Sequence, residues 1–415
     1  VKPFSSVKWA RLTLGVALAA LLTSPALAEV AARSQPFDAW LEDLKSEARG
    51  RGVSNATLEA AFRQAEPIGR VIELDRRQPE FTLSFWRYMN NAVSETRVER
   101  GRALLREHAE LLAEVEARYG VQPRFLVAFW GLETNYGDTF GNFPVIGALS
   151  TLAYDTRRSD FFRKELLTAL GILEAGDIAP DRMQGSWAGA MGHLQFMPTT
   201  FAAYAADYDG DGQRDIWGSL PDVFASASNY LSSIGWKGDQ TWGREVVLPA
   251  GFDYALVSIA TTPEIRKSLT QWAELGVRRA DGGPLPADDD IEAALILPAG
   301  GEGPAFLVYD NYRRILSWNR SILYAVAVGH LADRLVGKPP LSVAPPAGET
   351  RLSREEVKEI QRLLGDLGFN PGGADGRVGP RTRDAIRAYQ KSAGLVPDAY
   401  ASPRLLASLR QNAAR

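Results

Sequence analysis

The sequence predicts a mainly α-helical protein with a small β-containing subdomain set among its helices and a small helical module at the C-terminus. Three observations predict it. Apolar residues recur at helical spacing through most of residues 37–335. Residues 244–309 interrupt that pattern with short β-rich runs separated by Gly, Pro and Asp turns. Residues 337–350 contain Pro339, Pro340, Pro345 and Pro346 and almost no apolar periodicity, which is the composition of a linker.

The elements follow in order. Lys2, Lys8 and Arg11 form a positive stretch before an apolar run over 12–22, and Ala26 and Ala28 are small, so residues 1–28 read as a secretory leader cleaved after Ala28. The run is shorter than the roughly 20 residues a spanning helix needs. Without cysteine there is no site for a lipid anchor, so no membrane anchor is expected. The body then occupies 29–336. Helical periodicity predicts helices over 37–48, 97–119, 123–133, 161–175, 221–234 and 318–335. Strands are predicted over 245–248, 293–297 and 305–309. The linker over 337–350 reaches roughly 40 Å if extended as polyproline II. Residues 351–411 form the second domain, read as a helix, a Gly-rich turn and a helix.

Composition narrows the chemistry. The 415 residues are 45% hydrophobic and 23% charged, enough for two or three domains with sizeable cores. A net charge of -3 carries no footprint of nucleic-acid binding. The absence of cysteine excludes disulfides, thiolate metal sites and a Cys nucleophile. Three scattered histidines, His108, His193 and His330, do not suit a multi-His zinc site. There is no Gly-x-Ser-x-Gly elbow and no P-loop, so any enzymatic chemistry rests on carboxylates.

Glu133 is the carboxylate that stands out. It ends the almost wholly apolar segment 124–133 and precedes the turn Asn135-Tyr136-Gly137-Asp138. A carboxyl group there is desolvated and its pKa raised, which suits a general acid. The alternative is a buried structural Glu paired with an Arg. A second segment, 185–200, mixes small residues (Gly189, Gly192) with polar Ser186 and Gln195, which could hydrogen-bond a carboxyl or a sugar.

At these residues the chain resembles the lytic murein transglycosylase B family, glycoside hydrolase family 103. Residues 130–137, 186–198 and 187–192 (Trp-Ala-Gly-Ala-Met-Gly) carry the resemblance, which covers roughly 37–335. It implies a lysozyme-like α-helical core with a small β part. It implies an enzyme that cuts the β-1,4 bond between N-acetylmuramic acid and N-acetylglucosamine in peptidoglycan glycan strands. The product ends would be 1,6-anhydro-muramic acid, with Glu133 acting as acid and then as base and no cofactor required. By position, Ser186 and Gln195 match polar residues near the carboxylate. Tyr230, Asn319 and Tyr324 match cleft residues, and Tyr88 is a further match. Trp318 stands where some relatives carry Tyr, which keeps an aromatic face and removes a hydroxyl. The resemblance also implies a periplasmic location, with cell-wall synthesis or division proteins as partners.

Two further motifs remain. Asp207, Asp209, Asp211 and Asp215 fall at positions 1, 3, 5 and 9 of an EF-hand-like loop, with Gly212 at 6 and Gln213 at 7. Gly218 replaces the usual Glu at 12, so closure of a longer loop by Asp222 is expected. The loop is either a structural Ca²⁺ site or an unmetallated Asp/Gly turn. The C-terminal domain, with Asp375-Gly376-Arg377-Val378-Gly379-Pro380-Arg381-Thr382, resembles the peptidoglycan-binding type 1 domain, a small three-helix module. Asp375, Gly376 and Arg377 either contact muropeptides or only shape the turn. Two other functions compete with the enzyme above. A non-catalytic peptidoglycan-binding scaffold would have no use for Glu133. A hydrolysing muramidase would need a second carboxylate, for which Asp138 and Asp155 are the nearest in sequence.

Overall fold

A computed structural model describes residues 35–63, 65–77, 84–258, 265–345 and 351–413. The expected leader lies outside the described residues, as do residues 346–350 of the linker. The helical body starts with α1 (Phe37–Gly50), α2 (Asn55–Ala61), α3 (Gly69–Arg77), α4 (Phe85–Ala92), α5 (Glu95–Glu107), α6 (Ala109–Tyr119) and α7 (Pro123–Thr134). It continues with α8 (Val145–Tyr154), α9 (Ser159–Ala175), α10 (Pro198–Tyr204) and α11 (Leu220–Ser233). A two-stranded antiparallel ribbon pairs β1 (Phe143–Pro144) with β2 (Gln184–Gly185). After the β subdomain come α13 (Asp310–Trp318) and α14 (Ile322–Leu335).

Helix α7 is the axis of this body. Phe125 through Gly131 are all buried, because α5, α6, α11 and α14 pack around it. A helix covered on every side needs no polar face. Pro123 opens it at a position where a missing N–H costs nothing.

The single helix expected over 97–119 is two. At His108 the backbone leaves helical geometry, and its ring turns toward Trp130 and Phe224, with centroids 6.1 and 6.2 Å away. The helix expected over 318–335 is also broken. Asn319 is extended, and Ser321 accepts the Tyr324 N–H at 3.3 Å to cap α14. In one continuous helix, Trp318 and Tyr324 would point about 120° apart. The break lets them converge.

The β subdomain is a five-stranded antiparallel sheet in the order β4 (Lys267–Ser268), β6 (Glu292–Ile296), β7 (Ala305–Val308), β3 (Gly243–Val247), β5 (Arg278–Arg279), with α12 (Leu269–Glu274) against it. Alternation decides its layers. Ala294, Ile296, Phe306 and Val308 face the helical body, whereas Ala293, Leu295, Ala305 and Leu307 join Trp272 and Tyr309 in a separate core. Both faces are covered, so these strands read as unbroken apolar runs.

Part of the linker is laid on the body rather than extended freely. Ser342 donates from its N–H and hydroxyl to the Glu245 carboxylate at 2.9 and 2.8 Å, and Leu341 and Val343 pack on the main core. The C-terminal module has three helices, α15 (Arg354–Asp366), α16 (Pro380–Ser392) and α17 (Pro403–Ala413), around its own core of Ile360, Leu364, Ile386, Tyr389 and Leu409. It touches the body where the Gly301 N–H donates to Asp398 at 2.7 Å and Arg404 pairs with Glu302.

Trp242 joins sheet to helices. Its indole N–H donates to Asp333 at 3.1 Å, and its ring lies against Gly329 of α14, where a Cβ would collide with it. Gly329→Ala is therefore expected to destabilise the body by roughly 1–3 kcal/mol, read as a lower urea midpoint with unchanged helical content.

Candidate active site

Glu133 lies in the last turn of α7 and keeps only partial solvent contact. Its Oε1 accepts two hydrogen bonds, one from the Trp318 indole N–H at 2.9 Å and one from the Tyr324 hydroxyl. Burial pushes its pKa up to about 7, against the opposing pull of the Tyr324 and Trp318 hydrogen bonds. No arginine pairs with it among the described residues, so it is not the structural Glu–Arg pair. Both donors are neutral. They favour the carboxylate without fixing it, and both act on one oxygen.

The chain around Glu133 is shaped for this. Gly131 has no room for a Cβ, because the Tyr136 ring would lie 2.7 Å from it. Asn135, Tyr136 and Gly137 take left-handed conformations in succession, with φ of 51°, 60° and 86°. For the two non-glycine residues this is a strained turn that its surroundings must hold. Tyr136 is anchored through its hydroxyl to the Arg97 carbonyl at 2.9 Å, and the Gly137 N–H donates to Thr134 Oγ1 at 3.1 Å.

His193 provides a further anchor, one that no motif in the sequence singled out. The Trp130 indole N–H donates to its Nδ1 at 2.7 Å, and the Thr134 hydroxyl donates to its carbonyl at 3.1 Å. Burial lowers the imidazole pKa to about 4, so the ring is neutral and its Nδ1 stays an acceptor at physiological pH. Only the fold joins residues 130, 134 and 193.

The other expected residues divide into groups. Trp318 packs at a tilt on Phe129 with centroids 4.4 Å apart and contacts Phe196 and Tyr230, each at 5.2 Å. Replacing a Tyr hydroxyl there does not remove the hydrogen bond, because the indole N–H supplies one. Tyr230 also packs on Tyr204, and its hydroxyl donates to the Ser317 carbonyl at 3.2 Å. Tyr88 lies within the field of Glu133. Burial first and the Glu133 charge second raise its pKa to about 12. Ser186 and Gln195 make no hydrogen bond to Glu133. Ser186 Oγ accepts the Ala188 and Ala190 N–H groups at 3.3 and 3.0 Å, and Gln195 Nε2 donates to the Phe140 and Gly192 carbonyls at 3.0 and 3.1 Å. Asn319 is exposed, and its side chain accepts the Ser321 N–H at 3.1 Å.

The two acids considered for activating water are engaged elsewhere. Asp138 binds Arg100 and Asn135, and the Arg100 hydrogen bond holds its carboxyl below the usual range. Asp155 pairs with Arg76 and accepts the Arg157 N–H.

In the Asp/Gly loop, one oxygen each of Asp207, Asp209 and Asp211 lies within 4.8 Å of the others, and all three residues are exposed. This all-oxygen donor set fits a hard cation such as Ca²⁺. Gln213 is exposed nearby and gives its N–H to Asp211 at 2.8 Å. Asp222 is not a member of the group, contrary to the sequence expectation. It is buried and clasps the base of the loop, accepting the Tyr208 and Asp215 N–H groups at 2.7 and 2.8 Å. Arg214, unusual for a calcium loop, pairs with buried Asp177 at 2.6 Å.

Comparison with known proteins accounts for both parts of the chain. Residues 36–333 match the model of the transglycosylase SLT domain, and residues 353–409 match a peptidoglycan binding domain. The structure of SltB3 from Pseudomonas aeruginosa, in complex with NAG-anhNAM-pentapeptide, is 48% identical with a TM-score of 0.85, covering 91% of this chain and all of that one. Slt35 from Escherichia coli, in complex with calcium, is 26% identical with a TM-score of 0.61, covering 72% of this chain and 93% of that one. The membrane-bound lytic murein transglycosylase B of Escherichia coli strain K12 is 29% identical over 298 residues, 68% of this chain and 78% of that protein. The chain belongs to the transglycosylase SLT domain family and is a peptidoglycan-cleaving lytic transglycosylase with a C-terminal peptidoglycan-binding module.

Proposed function

We propose that Glu133 performs the whole proton chemistry of this cleavage at the bond between N-acetylmuramic acid and N-acetylglucosamine. The observation that carries the reading is the asymmetric Glu133 carboxyl, with a pKa near 7 and two neutral donors on Oε1. Because Oε1 is occupied as an acceptor, the acid proton sits on Oε2. Oε2 protonates the glycosidic oxygen as the bond to C1 breaks, and the proton leaves with the N-acetylglucosamine 4-hydroxyl. The muramic acid N-acetyl carbonyl stabilises the positive C1. Glu133, now ionised and supported by Trp318 and Tyr324, takes the proton of the C6 hydroxyl as O6 bonds to C1. A 1,6-anhydro ring forms and no water is consumed. Trp318, Tyr230, Tyr324 and Tyr88 offer surfaces and hydroxyls to the sugars, with Ser186, Gln195 and Asn319 as further polar contacts. The engagement of Asp138 and Asp155 in ion pairs speaks against a hydrolysing muramidase.

The division of labour proposed here assigns catalysis to 29–336, tethering to 337–350 and substrate retention to 351–411. The leader pattern over 1–28 and the envelope substrate support a periplasmic location, and proteins of cell-wall synthesis or division are the partners such a site would serve. No helix of the described residues is long and apolar enough to cross a membrane. We also propose that Asp207, Asp209 and Asp211, with Gln213 contributing from the loop, hold a structural Ca²⁺ that takes no part in the chemistry.

Glu133→Gln is expected to lower the rate of anhydro-muropeptide release from sacculi by at least about 100-fold with the fold intact. Mass spectrometry of the digest reads this. Reducing ends from the native enzyme would overturn the proposal in favour of hydrolysis, and an absence of products in favour of a scaffold.

The pH dependence follows from the raised pKa. Glu133 must start protonated, so kcat/KM should fall as pH rises through about 7. Trp318→Phe removes a donor that favours the carboxylate, so the alkaline limb should move to higher pH while kcat drops. A pH–rate profile of both proteins checks the sign.

For the loop, Ca²⁺ should raise the unfolding temperature of chelator-treated protein. At saturating ion the gain is about 2–3 kcal/mol, and Asp209→Asn should abolish it without changing kcat. An unshifted melting curve would leave the loop an unmetallated turn.

A further inference from the structure

Between the C-terminal module and the body lies a cleft of about 980 Å³. The body supplies an apolar wall that includes Val257, Ile296, Leu297 and Leu323. The module supplies a cationic one, with Arg354, Arg377 and Arg383. The only carboxylate lining the cleft among the described residues is Asp398, and its oxygens are already engaged. Oδ2 accepts the Gly301 N–H at 2.7 Å, and Oδ1 accepts Gln390 Nε2 and the Tyr400 N–H at 2.7 and 2.8 Å. Arginines thus outnumber carboxylates in the lining, and the cleft is net positive.

The arginines differ in how they are held. Arg354 is fixed by donating to the Asp375 carbonyl at 3.1 Å. The turn at 375–377 holds its side chains differently. Asp375 shapes it, accepting the Gln361 side chain at 3.0 Å and the Arg377 N–H at 2.8 Å, while the Arg377 side chain is exposed at the cleft. Arg383 is half-buried on α16, and burial alone lowers its pKa. Arg387, four residues on and on the same helix face, has buried Nε and Nη2 atoms without partners. Partly desolvated guanidinium groups that pair with no carboxylate among the described residues favour a carboxylate ligand strongly.

The cleft also adjoins the candidate active site. Ile322 and Leu323 line it and immediately precede Tyr324, and Ser84 lines it and caps the helix that carries Tyr88. Four or five extended residues span about 15 Å, so a peptide borne by a sugar near Glu133 could enter.

We propose that this interdomain cleft binds the acidic peptide stem of a muramic acid residue, with Arg377 and Arg383 taking stem carboxylates and the apolar wall of the body taking its methyl groups. This rests on the proposed cleavage of peptidoglycan at Glu133 and adds how the module directs it. Stems would be read jointly by module and body, so that the module selects stem-bearing strands rather than only keeping the enzyme near the wall.

The test compares the full chain with Arg377→Gln, Arg383→Gln and the double variant on two substrates: glycan strands carrying stems and strands stripped of them by an amidase. The double variant should lose roughly tenfold or more in kcat/KM on stem-bearing strands, chiefly through KM, and match the native enzyme on stripped strands. Equal losses on both substrates, or no loss on either, would overturn the inference. Calorimetric titration of free stem tetrapeptide into Glu133→Gln, with and without the arginine changes, separates this reading from the catalytic one. Binding that disappears with the arginines supports the cleft even if Glu133 proves dispensable, and binding that persists refutes it.

Discussion

Helix α7 has no polar face, and it ends in a carboxyl group. Covering that helix on every side is what the surrounding bundle accomplishes, and the same covering removes water from Glu133. Much of the site follows from it. Residue 131 must be glycine so that Tyr136 can close over the helix end. The chain must then reverse through three left-handed residues. Two neutral donors, rather than a cation, must be brought to the carboxyl, because a paired arginine would hold it ionised and useless as an acid.

Those donors come from the break between α13 and α14. Trp318 closes one helix and Tyr324 lies in the first turn of the next, so the interruption at Asn319 brings two side chains to one oxygen. A short irregular stretch thus does for the far wall what the left-handed turn does for the near one. The β subdomain buttresses this wall, through Trp242 seated on Gly329 of α14.

Much of this was legible in the residues. The apolar segment before Glu133 announced a buried helix, and the alternating strands over 292–308 showed their two covered faces as continuous apolar text. Glu133 was legible because a carboxylate at the end of such a helix is costly and demands a reason. The breaks at His108 and Asn319 were not, since apolar spacing runs through both and only tertiary contacts show why the chain turns there. The same holds for His193, whose partners Trp130 and Thr134 lie some 60 residues away, and for Asp222, whose position suggested a ligand but whose burial makes it a clasp. Ser186 and Gln195 were legible as neighbours of importance, yet their hydrogen bonds serve the loop that carries them.

The raised pKa of Glu133 has a cost outside catalysis. In the unfolded chain this carboxyl releases its proton near pH 4.5, whereas the folded protein holds it to about 7. Between those values the native state binds the extra proton, so each step upward in pH favours the unfolded chain, and above about 7 the penalty is constant. The fold is thus weakest, as far as this residue is concerned, on the alkaline side, where the acid has also lost the proton that justifies its burial. The extensive apolar packing around α7 is what allows the molecule to carry that instability as a permanent feature of its native state.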